Sequence, residues 1–97
     1  MSAYVIAQIR WDDKEEYERY IAAFKPLIAR HQGVTLAASE DSSEILEGVW
    51  PLPGAVVMRF PSKNHVRRWI ADPDYPAVAG IRHGAAETNL VMIDGLD

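Results

Sequence analysis

The stretch AYVIAQIRWDDKEEYERYIAAF, Ala3 to Phe24, changes its period once, and that change decides the fold. From Ala3 to Trp11 the side chains alternate, with Val5, Ala7, Ile9 and Trp11 on one face and Tyr4, Ile6, Gln8 and Arg10 on the other. That is a strand with one apolar and one mixed face. Asp12 then stands three residues before Glu15, the spacing of a helix N-cap and its capping-box acid, and Asp13 and Glu16 add charge that suits the positive end of a helix dipole. Beyond them Tyr17, Tyr20, Ile21, Phe24, Leu27 and Ile28 recur at three and four residues, the stripe of a packed helix, while Glu15 and Arg19 are spaced for an i,i+4 pair. Pro26 lacks an amide hydrogen and crowds the preceding turn, which predicts a bend, and Gly33 is the expected stop.

Working outward, Val34 to Ala38 reads as a second strand, Ser39 to Ser43 as a polar turn, and Glu44 to Glu47 as a short extended piece. EGVWPLPG, Glu47 to Gly54, holds two prolines and two glycines and reads as a structured loop in which Pro51 keeps Trp50 extended. Ala55 to Phe60 is a third strand, and Ser62 caps a helix that turns Val66, Trp69 and Ile70 inward and stops at Asp72-Pro73. Pro76 suits the first turn of another helix, running to about His83 and closed by Gly84. Asn89 to Ile93 is the last strand. Two strand-helix-strand halves whose strands each have one apolar face predict a four-stranded sheet covered by helices on one side. The uncovered face then calls for a second copy of the same chain.

Ninety-seven residues form one domain, residues 1–97, and 48% hydrophobic with 25% charged residues is the composition of an ordinary globular chain. The net charge of −4 argues against nucleic-acid binding, which draws on lysine and arginine to neutralise phosphates. No apolar run approaches the roughly 20 residues that span a bilayer, so no membrane partner is expected. The start MSAYVIAQIRW lacks the basic and apolar regions of a signal peptide, and cysteine is absent, so a cytoplasmic location is expected. His31, His65 and His83 lack metal-ligand spacing, and no glycine-rich phosphate loop or nucleophile elbow occurs, so neither a metal nor a nucleotide cofactor is expected.

AYVIAQI at Ala3, YERY at Tyr17, LEGVWP at Leu46, FPS at Phe60, WIADPDY at Trp69, Arg82, and LVMIDG at Leu90 occur in an order and spacing that resemble domain-of-unknown-function family 1330, within the dimeric α+β barrel superfamily. The resemblance covers essentially the whole chain. It implies an α+β, ferredoxin-like sandwich, a four-stranded antiparallel sheet with helices on one face. It also implies a homodimer through facing sheets, the dimeric α/β barrel, with a cleft between sheet and helices or inside the barrel. It brings no established reaction, since superfamily relatives range from cofactor-independent monooxygenases to dehalogenases and muconolactone isomerase. The chain departs from the family's usual pattern at Ala37-Ala38-Ser39, at Arg59 and at Gln8, which alters the charge of any shared polar site.

Gln8, Arg10 and Arg59 fall on the mixed faces of the first and third strands, and two cations on one face call for an acid or an anionic ligand between them. One reading makes Glu47 the acid or base, Arg59 the anion partner and Trp50 the wall of a site for a small carboxylate- or enolate-bearing metabolite. The other makes Arg59 and Glu47 an ion pair that fixes the register of a dimer interface. Trp69, Tyr75 and Arg82 surround the ADPDY corner and either line a helix-side pocket or simply pack, and Tyr17 and Tyr20 belong mainly to the buried stripe of the first helix, their hydroxyls either reaching the cleft or not. The leading expectation is therefore a homodimer that binds, or acts by acid-base chemistry on, a small anionic metabolite. A non-catalytic dimeric interaction protein is the alternative, and a cofactor-independent monooxygenase-like enzyme a further one by analogy.

Overall fold

The structure is a computed structural model and describes residues 1–40 and 43–97. Strand β1 (Ala3–Trp11) leads into helix α1 (Lys14–Arg30) and strand β2 (Val34–Ser39). Strand β3 (Gly54–Phe60), helices α2 (Lys63–Ala71) and α3 (Tyr75–Ala85) and strand β4 (Ala86–Asp94) complete the order. The four strands form one antiparallel sheet in the order β2-β3-β1-β4, the α+β arrangement expected from the alternating faces.

Register assigns every side chain to a face. On β1, Ala3, Val5, Ala7 and Ile9 are buried beneath the helices, and they lie opposite Phe60, Met58, Val56 and Gly54 of β3. Their partners on β4 include Met92, Leu90 and Thr88. Trp69, 1% exposed, is the centre of this core: it stacks on Phe60 at 5.4 Å and meets Phe24 and Tyr75 edge-on at 6.2 and 5.4 Å. Tyr20, Phe24, Leu27 and Ile28 supply the buried stripe of α1. The opposite face carries Tyr4, Ile6 and Gln8 beside Arg59, Val57 and Ala55 on one side and Ile93, Val91 and Asn89 on the other. Val91 and Ile93 are exposed there.

Several local expectations shift by a residue or more. Asp13, not Asp12, caps α1 by accepting from the Glu16 amide at 3.1 Å, because the Asp12 carboxylate is turned back to Arg10. Arg19 pairs accordingly with Glu16 rather than Glu15. Helix α1 continues through Pro26 to Arg30. Gln32, at φ 62°, takes the left-handed position that ends it, rather than Gly33. Gly33 is needed for space: a Cβ there would stand 2.4 Å from Ile28 and 2.7 Å from Phe60. Gly84 lies inside α3, which runs on to Ala85, and β4 starts at Ala86 rather than Asn89. Glu44 to Glu47 joins no strand. Asp41 and Ser42 of the expected polar turn lie outside the described residues.

Two polar clusters tie the elements together. The buried Asp72 carboxylate, at the α2–α3 corner, accepts from the Asp74 amide at 2.8 Å and from Arg30 at 3.0 Å, and it meets His31 Nε2 at 2.7 Å. The Asp74 amide above all, then His31 and Arg30, hold its pKa down at about 2. This fastens the end of α1 to the start of α3. At the junction of β1 and α1, the Asp12 and Asp13 amides both donate to the Ala85 carbonyl at 2.9 Å. Helix α3 is thus held against α1 at both ends, which fixes where its buried side chains point.

Candidate functional site

Helix α3 buries Ala79, Arg82 and Ala85 on one stripe, so a guanidinium stands where the period calls for an apolar residue. Arg82 is 5% exposed, and none of the ion pairs among the described residues includes it. None of its hydrogen-bond partners among the described residues is a carboxylate. Nη1 donates to the Tyr20 hydroxyl at 3.3 Å, and Nη2 donates to the Tyr75 hydroxyl at 3.4 Å and stands 3.3 Å from His83 Nε2. The guanidinium also lies 5.5 Å from the centre of the Tyr20 ring, within cation–π range. Nε is buried with no hydrogen-bond partner among the described residues. A buried cation normally has a counter-charge, and leaving a buried donor unpaired costs about 1–3 kcal/mol. Burial works against the charge, but the bonds to Tyr75 and Tyr20 outweigh it and leave the Arg82 pKa raised.

Arg82 borders a cavity of about 90 Å³ between the sheet and α1. Tyr17, Tyr20, Ile21 and Phe24 form its roof, and Ala7, Ala38, Val56 and Thr88 lie in its floor. The cavity exists because the sheet presents small side chains beneath the tyrosines: Ala7 pairs with Val56 and Leu90 across the strands, and Val56 with Ala38. Exposed Thr35 and Ala38 on edge strand β2 mark its open side. Burial, and then proximity to Tyr20, push the Tyr17 pKa up to about 12, and burial raises that of Tyr20 as well. Both phenols therefore keep their protons at neutral pH. A tyrosine oxygen that accepts from Arg82 retains its own hydrogen to donate. The polar groups of the cleft are a cation, hydroxyl donors and two threonines, with no carboxylate in the lining among the described residues.

The other expected site residues fall elsewhere. Gln8, Arg10 and Arg59 share the outer face, but Arg59 lies opposite Tyr4 and Gln8 opposite Ala55. Arg10 pairs with Glu87 at 2.7 Å, so the two cations stand at opposite ends of β1 and do not compete. Arg59 does not meet Glu47: it donates to Ser2 Oγ at 2.8 Å and to the Asp97 carboxylate at 3.1 Å, and Glu47 enters no ion pair among the described residues. The expected pair fails because Glu47 sits on the exposed loop beyond β2, while Asp97 is folded back onto the end of β1. Ser2 above all, with Arg59, lowers the Asp97 pKa to about 2.

Glu47 and Trp50 do line one open groove of about 370 Å³ with Glu44, Ile45, Leu46 and Ala55. Trp50 also borders a second, of about 280 Å³, with Ile6, Gln8, Asn89 and Val91. Both grooves lie toward the bare outer face of the sheet, and Gln8 accepts from Asn89 there at 3.2 Å. Trp69 is core. Arg82 lines the cleft, and Tyr75, which is not in its lining, accepts from Arg82 Nη2 behind it. The small floor of Ala7, Ala38 and Thr88 was not singled out in the sequence, where alanines on an apolar face look like any core position. No group of three or more histidine, aspartate or glutamate side chains suited to a metal converges among the described residues. No helix among them is long and apolar enough to cross a membrane.

The profile of the domain of unknown function DUF1330 matches residues 2–96. The chain belongs to the DUF1330 family. Among solved structures, this DUF1330 chain is similar to a protein of unknown function from Rhodopseudomonas palustris, with TM-score 0.81 and 17% identity over 99% of this chain and 83% of that one. It is also similar to a dimeric ferredoxin-like protein of unknown function from Jannaschia sp. CCS1, with TM-score 0.74 and 10% identity over 98% of this chain and 100% of that one. A third is SnoaB, a cofactor-independent oxygenase from Streptomyces nogalater, with TM-score 0.71 and 12% identity over 99% of this chain and 94% of that one. At these identities the likeness establishes the ferredoxin-like fold. No curated protein matches the chain in sequence.

Proposed function

We propose that this protein binds a small, partly apolar anion in the cleft bordered by Arg82, Tyr17 and Tyr20. The observation that carries this reading is a buried guanidinium that, among the described residues, meets no carboxylate and leaves Nε without a partner, beside a cavity. A ligand's negative charge supplies the missing counter-charge, and the apolar roof and floor accept the rest of the molecule. Helix-side Arg82 thereby takes the anion-binding role first considered for Arg59, whose charge Asp97 and Ser2 already meet. The cleft offers an acceptor molecule positive charge and hydroxyl donors. These stabilise negative charge that develops on a bound oxygen, so both a carrier and an acid-base enzyme acting on an enolisable compound are compatible with it.

The apolar outer face supports a second element of the reading. Ile6, Val57, Val91 and Ile93 lie together there, and structural neighbours are described as dimeric ferredoxin-like proteins. Two copies with facing sheets would cover this strip and turn the grooves beside Trp50 into the edge of the interface. SnoaB's oxygenase chemistry stays with that protein, since 12% identity carries the fold alone. The test is calorimetric titration with a panel of small aromatic and aliphatic carboxylates and phenols. Wild type is expected to bind at least one class, and Arg82→Met to lose it by tenfold or more while Arg59→Ala retains it. Equal binding by Arg82→Met would refute the site.

A further inference from the structure

Resting on that reading of the Arg82 cleft, we infer that it selects the conjugate base of a small, one-ring weak acid, a phenol or enol, over the neutral form and over a carboxylate of similar size. The first argument is which guanidinium donors remain. A carboxylate is held best by two parallel N–H bonds, taken either from Nε with Nη2 or from Nη1 with Nη2. Both protons of Nη2 are engaged when His83 Nε2 accepts, one by Tyr75 at 3.4 Å and the other by His83 at 3.3 Å. Neither fork is then free. What remains, the second Nη1 proton and the Tyr20 hydroxyl hydrogen, suits one anionic oxygen that accepts from single donors.

Size and desolvation point the same way. One water needs about 10–15 Å³ on the scale on which the cavity measures about 90 Å³, so the cavity takes roughly six to nine heavy atoms, a single ring. Its roof of Tyr17, Tyr20 and Phe24 provides ring edges and faces for aromatic contact. A phenolate or enolate spreads its charge into its own π system and loses less on leaving water than a carboxylate does. The phenols of the cleft hold their protons, so no tyrosinate competes for Arg82. Binding is then a plain proton equilibrium: the ligand O–H breaks, the electron pair stays on oxygen, and the proton leaves to solvent. The step needs no oxidant and no protein base.

The experiment titrates 4-chlorophenol by its phenolate absorbance with and without excess protein, alongside benzoate and the non-ionisable 4-chloroanisole. In wild type the apparent pKa of bound 4-chlorophenol is expected to fall by about one unit or more, the equivalent of tenfold tighter binding of the anion. 4-Chloroanisole and benzoate are each expected to bind at least tenfold more weakly. Arg82→Met should abolish the fall, and Arg82→Lys, which keeps charge without the planar donors, should retain part of it. Should Arg82→Met fail to fold, Tyr20→Phe is read instead and is expected to halve the fall or more. An unchanged or raised pKa in wild type, with benzoate binding lost in Arg82→Met, would overturn this inference and leave the anion site standing. No binding of either acid at millimolar concentration would overturn both.

Discussion

Replacing Arg82 with methionine should leave the ligand-free protein as stable as wild type, or more so, which separates a binding residue from a structural one. Removing the guanidinium relieves a buried Nε and a charge that, among the described residues, have no hydrogen-bond acceptor and no acidic partner respectively, and replacing buried ionic groups by apolar residues of similar volume is neutral or stabilising by about 1–4 kcal/mol. The bonds lost are long, 3.3 and 3.4 Å to Tyr20 and Tyr75, and orphaning the buried Tyr20 hydroxyl costs about 1–3 kcal/mol. The two terms nearly cancel, so the net change for the single variant centres near zero. For a chain of this size, each kcal/mol moves the melting temperature by roughly 4–8 °C. Urea denaturation gives the free energy and calorimetry the melting temperature. Arg82→Met combined with Tyr20→Phe removes the orphaned hydroxyl and should exceed the single variant. A loss of more than about 2 kcal/mol in both variants would show that Arg82 holds the fold together and would refute the reasoning, because a truncated structural ion costs about 3–5 kcal/mol.

Asp72, whose folded pKa is about 2 against an ordinary 3.8, contributes stability that is present above the ordinary value and lost as pH falls toward 2. Asp72→Asn should flatten the acid limb of a pH-stability profile in that window, as followed by circular dichroism. Tyr17, raised to about 12, acts with the opposite sign: its contribution is full below pH 10 and is lost between pH 10 and 12. Alkaline difference absorbance should show Tyr17 and Tyr20 titrating late, and Tyr17→Phe should shrink that late step. Gly33→Ala places a methyl 2.4 Å from Ile28 and 2.7 Å from Phe60, both buried, and should lower stability by about 1–3 kcal/mol in urea denaturation. Val91→Glu on the outer face should convert a dimer into monomer in sedimentation velocity and lower the melting temperature, which then no longer depends on protein concentration. Monomeric wild type would count against the facing-sheet arrangement.

The strands and helices were legible because their periods are clean: Ala3 to Trp11 alternates without error, and the Tyr17 to Ile28 stripe recurs at helical spacing. Caps were less so. Asp12 and Asp13 are equally good candidates by composition, and only the neighbouring Arg10, reaching back to Asp12, decides between them. The Arg59 partner was invisible for a related reason, since Asp97 is 38 residues away along the chain and is brought to it by the pairing of β1 with β4. The helix-side cleft was half legible. Arg82 interrupts an otherwise small and apolar stripe, which marks it in the sequence, but the space it faces comes from Ala7, Ala38 and Val56 meeting across three strands. Register alone brings them together.

The most direct test of the Arg82 cleft is a crystal structure of the protein soaked with 4-bromophenol at alkaline pH, with the bromine located by its anomalous signal. The proposal predicts a bromine peak between the sheet and α1, with the phenolate oxygen within hydrogen-bond distance of Arg82 or Tyr20. Bromine found only on the outer face beside Trp50 or Arg59, with the cleft filled by water, would contradict it.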